Sequence, residues 1–314
     1  MQGLELSRAY FAQCARPLLA ECLPLFLEQA AIGLVGEGSE CFGFDDEISQ
    51  DHDWGPAFCL WLPQAEWGEW LDSVEDVLAL LPQEFHGHAA RMRPQDRAGR
   101  VGPLAIEQFY GRFTNLPEPP QHWRQWRAIP EHFLAVATNG AVFHDARGMF
   151  TQYREALLAY YPEDLRLKKI AARCMGMAQA GQYNLPRSLQ RGEQGAAMLA
   201  AARFAEAALS MTYLLNKRYM PFYKWAHRGV RALPLLGEAT WQCVQALAAL
   251  RWDKGPAVQE EAAAVVETLC VQVADSLRAQ GLSTAEGAWL LAHGPAVQSR
   301  IATPELRRMP EMLE

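Results

Sequence analysis

Two short apolar runs, Ala-Ile-Gly-Leu-Val at 31–35 and Ala-Phe-Cys-Leu-Trp-Leu at 57–62, bracket one segment rich in glycine and acid. That segment reads Gly36-Glu37-Gly38-Ser39-Glu40-Cys41-Phe42-Gly43-Phe44-Asp45-Asp46-Glu47-Ile48-Ser49-Gln50-Asp51-His52-Asp53-Trp54. Apolar runs of this length bounded by turn formers predict strands. The order is therefore strand, Gly-Ser turn, short acidic segment, and a second strand that opens with Asp51 and Asp53. Residues two apart on a strand share a face, roughly 6.6 Å along the chain at about 3.3 Å per residue. Two carboxylates so placed can converge on a hard cation such as Mg²⁺, which binds oxygen at about 2.1 Å and keeps positions open for phosphates. Gly38 and Ser39 fall where bare backbone N–H groups can face those phosphates.

With 314 residues the chain is long enough for two domains of ordinary size. Half of its residues are apolar and 21% are charged, a normal globular balance. The net charge of −7 argues against a surface that tracks nucleic acid non-specifically. Seven cysteines at positions 14, 22, 41, 59, 174, 243 and 270 form no Cys-x-x-Cys pair, so neither a disulfide framework nor a zinc ribbon is expected. The N-terminal residues lack the basic start and apolar stretch of a signal peptide, and the reading is of a cytoplasmic protein.

Residues 6–28 predict one or two helices, with Pro17 and Pro24 as starts or kinks and with Tyr10, Phe11, Cys14, Leu18, Cys22 and Leu25 on a buried face. After the two strands, Trp67, Trp70, Leu71, Val74, Val77, Leu78 and Leu81 recur at helical spacing. The first half is thus expected to hold a mixed sheet covered on one side. His86-Gly87-His88 has no acid or cysteine at ligand spacing, which leaves a loop or edge strand as the expectation. Arg91, Arg93, Arg97 and Arg100 add local positive charge, of which one or two can reach a triphosphate. The second half carries helical patterns throughout: 153–160, 163–179, 193–216, 221–231, 238–250, 256–279 and 285–292. In 193–216, Ala196, Ala200, Phe204, Ala208, Met211 and Leu215 alternate small and large side chains, as close helix packing requires. The expected class is α+β, with a mixed-sheet domain at 1–147 and a helical bundle at 148–314.

The Gly-Ser pair, the spacer of Glu40 to Gln50 and the Asp51-His52-Asp53 triplet together resemble the nucleotidyltransferase superfamily of the polymerase-beta type. The longer string resembles a bacterial branch of that superfamily, a domain of unknown function (DUF4037). The resemblance implies a nucleotidyl, most simply adenylyl, transfer from ATP to a hydroxyl with release of pyrophosphate. Mg²⁺ would be held by Asp51 and Asp53, and the phosphates by Gly38 and Ser39. The acceptor would be a small molecule sooner than a protein or RNA. Catalytic relatives carry a third acid on a strand after the following helix; the place to look here is residues 100–107, where Glu107 is the one carboxylate. Ile106, Phe109, Tyr110 and Phe113 are however spaced as a helix, which would turn Glu107 elsewhere. A chain without that acid would be a nucleotide-binding or regulatory protein on the same fold. The helical half resembles the domain paired with this one in kanamycin-type adenylyltransferases. By that resemblance Asn216, Tyr219 and Lys224 are candidates to meet the nucleotide phosphates, with Lys217 and Arg218 behind them. A lysine is a suitable point charge for a leaving pyrophosphate.

Overall fold

A computed structural model describes residues 1–50, 54–252 and 256–314. Two compact units make up the chain: Met1–Gln121 with Ala128–Tyr160, and His122–Arg127 with Tyr161–Glu314. Asp51, His52 and Asp53 lie outside the described residues.

The first unit opens with α1 (Gly3–Tyr10), a π-helical turn (Phe11–Ala15) and α2 (Arg16–Cys22) in one run. The wide turn falls just ahead of Pro17, which has no N–H to give the carbonyl four residues back. Leu6, Tyr10, Phe11, Ala15 and Leu19 are buried along one face. The expected continuation through Cys22 and Leu25 fails: Cys22 is exposed and Leu25 is 61% exposed. The chain breaks at Leu23 and restarts at Pro24 as α3 (Pro24–Gln29), which resets the helical phase and buries Phe26 instead.

β1 (Ala31–Leu34) leads into a one-turn helix, α4 (Ser39–Phe42), and the chain returns as β2 (Cys59–Leu62). Then come α5 (Trp67–Ala79), the hairpin β3 (Glu84–Phe85) and β4 (His88–Ala89), β5 (Gly102–Ala105) and α6 (Ile106–Thr114). α7 (Trp123–Ala128) belongs, all but its last residue, to the second unit, and α8 (Glu131–Thr138), β6 (Ala141–Asp145) and α9 (Met149–Leu158) complete the first. The sheet order is β5-β2-β1-β6, with β1 antiparallel to both β2 and β6 and β2 parallel to β5. His86 and Gly87 form the two-residue hairpin tip with φ of 52° and 79°, the positive pair of a type I′ turn.

The sheet is buried on both faces, not on one. Phe58, just ahead of β2, meets Tyr10 and Phe11 at 6.1 and 5.7 Å. Trp61, three residues on and therefore on the opposite face, stacks on Phe150 at 3.8 Å and meets Phe109 edge-on at 5.3 Å. Residues 57–62 are apolar without alternation, the pattern of a strand covered on both sides. α9 also carries the end of the unit past the expected boundary at 147. Phe150 packs on the sheet, and Tyr153 stacks on Tyr110 at 3.8 Å, so residues 148–160 stay with the first unit.

The second unit is helical among its described residues: α10 (Glu163–Met177), a π-helical segment (Ala178–Asn184), α11 (Leu185–Gln190), α12 (Gln194–Leu215), α13 (Tyr223–Val230), α14 (Gly237–Ala249), α15 (Pro256–Ala279), α16 (Leu290–Gln298) and α17 (Pro304–Arg308). The architecture is α+β, as expected. α12 is long and apolar enough by composition to cross a membrane, but 61% of its apolar window is buried inside the protein, as in a core helix. Ala197, Ala200, Phe204, Ala208, Met211 and Leu215 form its buried face, with Ala196 exposed. Its Thr212 hydroxyl meets that of Thr240 on α14 at 2.7 Å, both groups buried.

The helix expected at 285–292 begins only at Leu290. Gly287 takes a left-handed φ of 71°, and Arg278 donates to the carbonyls of Ala285 and Gly287 at 3.2 and 2.8 Å. These contacts hold an irregular loop in place of the first helical turn. His293 is fully buried behind that loop. Its Nε2–H donates to the Gly287 carbonyl at 3.1 Å, which leaves Nδ1 to accept from the Ser283 hydroxyl at 2.9 Å. Burial holds its pKa below the ordinary 6.5, and the nearby Arg278 acts in the same direction. The unfolded chain therefore takes up a proton that the folded chain refuses, and stability falls as pH drops below 6.5. Thermal melts across that range should show the loss, and His293→Gln should flatten the slope; an unchanged slope would remove His293 as its source.

Candidate functional site

The stretch that follows β1 is held from outside the strand. Gly36 donates its N–H to Asn139 Oδ1 at 3.0 Å, and Asn139 Nδ2 donates back to the Gly36 carbonyl at 2.7 Å. Gly36 has φ of 152°, which side-chain-bearing residues rarely adopt. One residue on, the Gly140 N–H donates to the Cys41 carbonyl at 2.7 Å. Gly140 has φ of 58° and packs so tightly that an added Cβ would collide with the Leu34 carbonyl oxygen. The loop between α8 and β6 thus fixes where the Gly-Ser turn stands.

Gly38 is the N-cap of α4 with extended dihedrals, and Ser39 begins the helix. No described residue accepts a hydrogen bond from the N–H of Gly38 or Ser39. Glu40 is buried at 7% exposure, and its carboxylate lies against Gly38. Burial pushes its pKa up; its own backbone N–H and the positive charge of Arg91 oppose that push, and Asp45 adds to it.

Other acids of this stretch serve the local backbone. Asp45 Oδ2 accepts from the Gly3 N–H at 2.7 Å and from Trp54 Nε1 at 3.1 Å. Asp46 Oδ1 accepts from the N–H groups of Ile48 and Ser49, both at 3.1 Å, as an Asx turn does. Among the described residues no three His, Cys, Asp or Glu side chains group as a metal site. A metal site at this turn therefore depends on Asp51 and Asp53, which lie outside the described residues.

Beside the turn is a cavity of about 190 Å³, walled by Val35, Leu104, Phe109 and Phe113. Glu37, Arg100 and Arg112 line it as well. Arg112 Nη2 donates to Glu37 Oε2 at 2.5 Å, Arg100 Nε stands 3.9 Å from the same oxygen, and Arg112 Nη1 donates to the Gly99 carbonyl at 3.2 Å. A larger cavity of about 350 Å³ lies elsewhere in this unit, along α5 and the segment 90–97 that follows β4. Arg97 lines it but is locked: Nη1 and Nη2 grip Glu75 at 2.6 and 2.8 Å, and Nε donates to the Met92 carbonyl at 2.7 Å. Of the four arginines marked in the sequence, Arg100 is the one that lines the cavity beside the turn. Arg112, Glu37 and Asn139 had no signal of their own. Arg112 only looked like the polar face of α6, and Asn139 like an ordinary Asn-Gly turn.

Glu107 stands in the first turn of α6, past the end of β5, and its Oε2 accepts the Gln64 N–H at 2.9 Å. The helical alternative holds, and β5 itself carries Gly102, Pro103, Leu104 and Ala105 with no carboxylate. In the helical unit, Asn216 is a brace: Nδ2 donates to the carbonyls of Thr212 and Leu235 at 2.7 and 2.9 Å, and Oδ1 accepts the Leu235 N–H at 3.0 Å. Tyr219 is 8% exposed and meets Tyr161 edge-on at 5.2 Å. Lys217 Nζ is 3.9 Å from Glu163. Lys224 is exposed, with its ammonium 5.1 Å over the Trp225 ring. Of the three candidates in this unit, Lys224 alone presents its polar group openly to solvent; Asn216 and Tyr219 have packing and bracing roles in hand.

Residues 126–226 match the family model described as Domain of unknown function (DUF4037). The match supports the resemblance to that branch, covers roughly a third of the chain, and does not include the Gly38–Trp54 stretch. No curated protein and no solved structure matches the chain.

Proposed function

We propose that the chain is a Mg²⁺-dependent nucleotidyltransferase that moves an adenylyl group from ATP to a hydroxyl. The observation that carries the reading is the Gly38–Ser39 turn. It directly follows the central strand β1 and is pinned by Asn139. Its two N–H groups have no partner among the described residues, and it lies beside a cavity with two guanidinium groups. The donor set suits a polyphosphate, since backbone N–H groups and arginines complement anionic oxygens. Asp51 and Asp53 would hold the Mg²⁺, whose chemistry is to neutralise phosphate charge. In the transfer, the acceptor hydroxyl forms a new O–P bond to the α-phosphorus, the bond to the β-phosphate breaks, pyrophosphate leaves, and the hydroxyl proton passes to solvent. The turn's role is to hold and orient the phosphates, so the contribution of the protein is positioning and charge complement.

Titration calorimetry with ATP, with and without Mg²⁺, tests binding, and pyrophosphate release in the presence of hydroxyl acceptors tests transfer. Mg²⁺-dependent binding is expected with a Kd in the micromolar to millimolar range, about −4 to −8 kcal/mol. Absence of any ATP binding would remove the reading. One observation favours a second reading, a nucleotide-binding regulatory protein: β5 has no carboxylate, and Glu107 already accepts the Gln64 N–H. Binding without pyrophosphate release, across small-molecule, protein and RNA acceptors, would select it.

A further inference from the structure

We infer that Glu314 occupies a phosphate site of the helical unit, built by Lys169 and Arg173 of α10 beside Arg127 of α7, and that residues 312–314 are a strap which a free phosphate or a phosphomonoester displaces. Every residue in this inference belongs to the second unit, so it does not rest on the nucleotidyl-transfer reading.

α10 turns several cations inward, and a buried charge must be met by acceptors. Arg166 is met by Glu163 Oε1, Gln280 Oε1 and the Leu214 carbonyl at 2.9, 3.3 and 3.2 Å. Lys168 is met by Gln298 and by the carbonyls of Met309, Pro310 and Glu311. Lys169, which is buried, and Arg173 share instead the single carboxylate of Glu314. Arg173 Nη1 meets Oε1 at 2.5 Å, but Lys169 Nζ stands 3.9 Å from Oε2, beyond hydrogen-bond reach. That Oε2 is buried and has no hydrogen bond among the described residues. Arg127 shows the same deficit, because its Nε is also buried without a hydrogen bond. It shares this neighbourhood: burial lowers the pKa of Lys168, Glu311 and Glu314 oppose that, and Arg127 adds to it. The carboxylate therefore fits its cations incompletely.

A carboxylate offers two oxygens in one plane at the end of a tethered side chain. A phosphate offers oxygens in four directions and more charge, which suits a guanidinium fork together with an ammonium. The site is also rigid without its present occupant. Arg173 Nε donates to the buried Ser210 hydroxyl of α12 at 2.7 Å, and the Lys169 ammonium lies 5.2 Å over the Tyr161 ring. The strap, by contrast, is lightly held. Lys168 grips carbonyls only as far as Glu311, and the side chains of Met312 and Leu313 are 52% and 50% exposed. Beyond the turn in which the Leu313 N–H donates to the Pro310 carbonyl at 3.0 Å, the Glu314 ion pairs are the hold on 312–314 among the described residues.

The test is calorimetric titration of the full chain with inorganic phosphate and with methyl phosphate, at an ionic strength held constant with chloride so that screening does not vary. Glu314→Gln weakens the internal competitor and is expected to tighten binding about fivefold or more, a gain that misfolding cannot imitate. Arg173→Gln, shown to be folded by its melting curve, is expected to weaken binding about tenfold or more, both alone and combined with Glu314→Gln. Tighter binding of the ester would assign a phosphomonoester as the ligand, and tighter binding of the free ion would assign inorganic phosphate. A Glu314→Gln chain that binds neither probe better than the parent overturns the inference. So does binding that survives Arg173→Gln undiminished, which would place the anion elsewhere in the chain, the Gly-Ser turn included.

Discussion

Lys168→Met is expected to destabilise the helical unit by about 2–3 kcal/mol, the order for leaving buried neutral acceptors without their charged donor. Lys168 lies in α10 and is fully buried. Its ammonium donates to Gln298 Oε1 at 2.7 Å and to the Pro310 carbonyl at 2.6 Å, with the carbonyls of Met309 and Glu311 at 3.3 Å. Carbonyl and amide oxygens thus take the place of water around this ammonium. A methionine fills similar volume but leaves those buried acceptors with fewer donors. Gln298 partly compensates, since its Nε2 also donates to the carbonyls of Arg307 and Met309 at 3.0 and 2.7 Å. The damage should therefore concentrate at residues 298–314. For a unit of this size a loss of that order lowers Tm by about 10 °C. Hydrogen exchange should show the amides around 301–313 opening before the rest. A Tm shift under about 2 °C, with exchange unchanged in that segment, would mean that the lysine does not hold the chain end in place.

The largest functional effect is expected from Asp51→Asn combined with Asp53→Asn. Each change keeps the side-chain size and removes one negative charge, and together they replace two anionic oxygen donors by neutral amides. A hard cation loses most of its preference for such a pair. Mg²⁺-dependent ATP binding should fall below detection in calorimetry, and pyrophosphate release with it. Melting curves check that the double variant is folded. Retained Mg²⁺-dependent ATP binding in the double variant would remove these residues from the site.

Local chemistry made several features legible in advance. The run at 57–62 marked a strand, although β2 begins only at Cys59 and not at the expected Asp51; its lack of alternation is the mark of cover on both faces, where one-sided cover was expected. Pro24, at the first position of α3, is a helix start of the usual kind. The small-large alternation within 193–216 marked the core helix of the second unit, with Ala197 and not the expected Ala196 on its buried face. The helical spacing of Ile106, Phe109, Tyr110 and Phe113 was a better guide to Glu107 than the wish for a third acid. The domain boundary was harder to read. Phe150 and Tyr153 look like any amphipathic helix until Trp61 and Tyr110 are placed beneath them.

By itself the sequence determined which segments are strands or helices, where prolines and glycines break them, and where a Gly-Ser turn meets an acidic segment. Those properties depend on neighbours within a few residues, through hydrogen-bond spacing and the burial of one face. The tertiary structure alone decided that Arg112 reaches Glu37, 75 residues away, and that Asn139 pins Gly36 across 103. It also decided that Lys168 is met by carbonyls some 140 residues further along. Such pairs follow from how the chain returns on itself, and a guanidinium or an ammonium carries no mark of which distant oxygen will meet it.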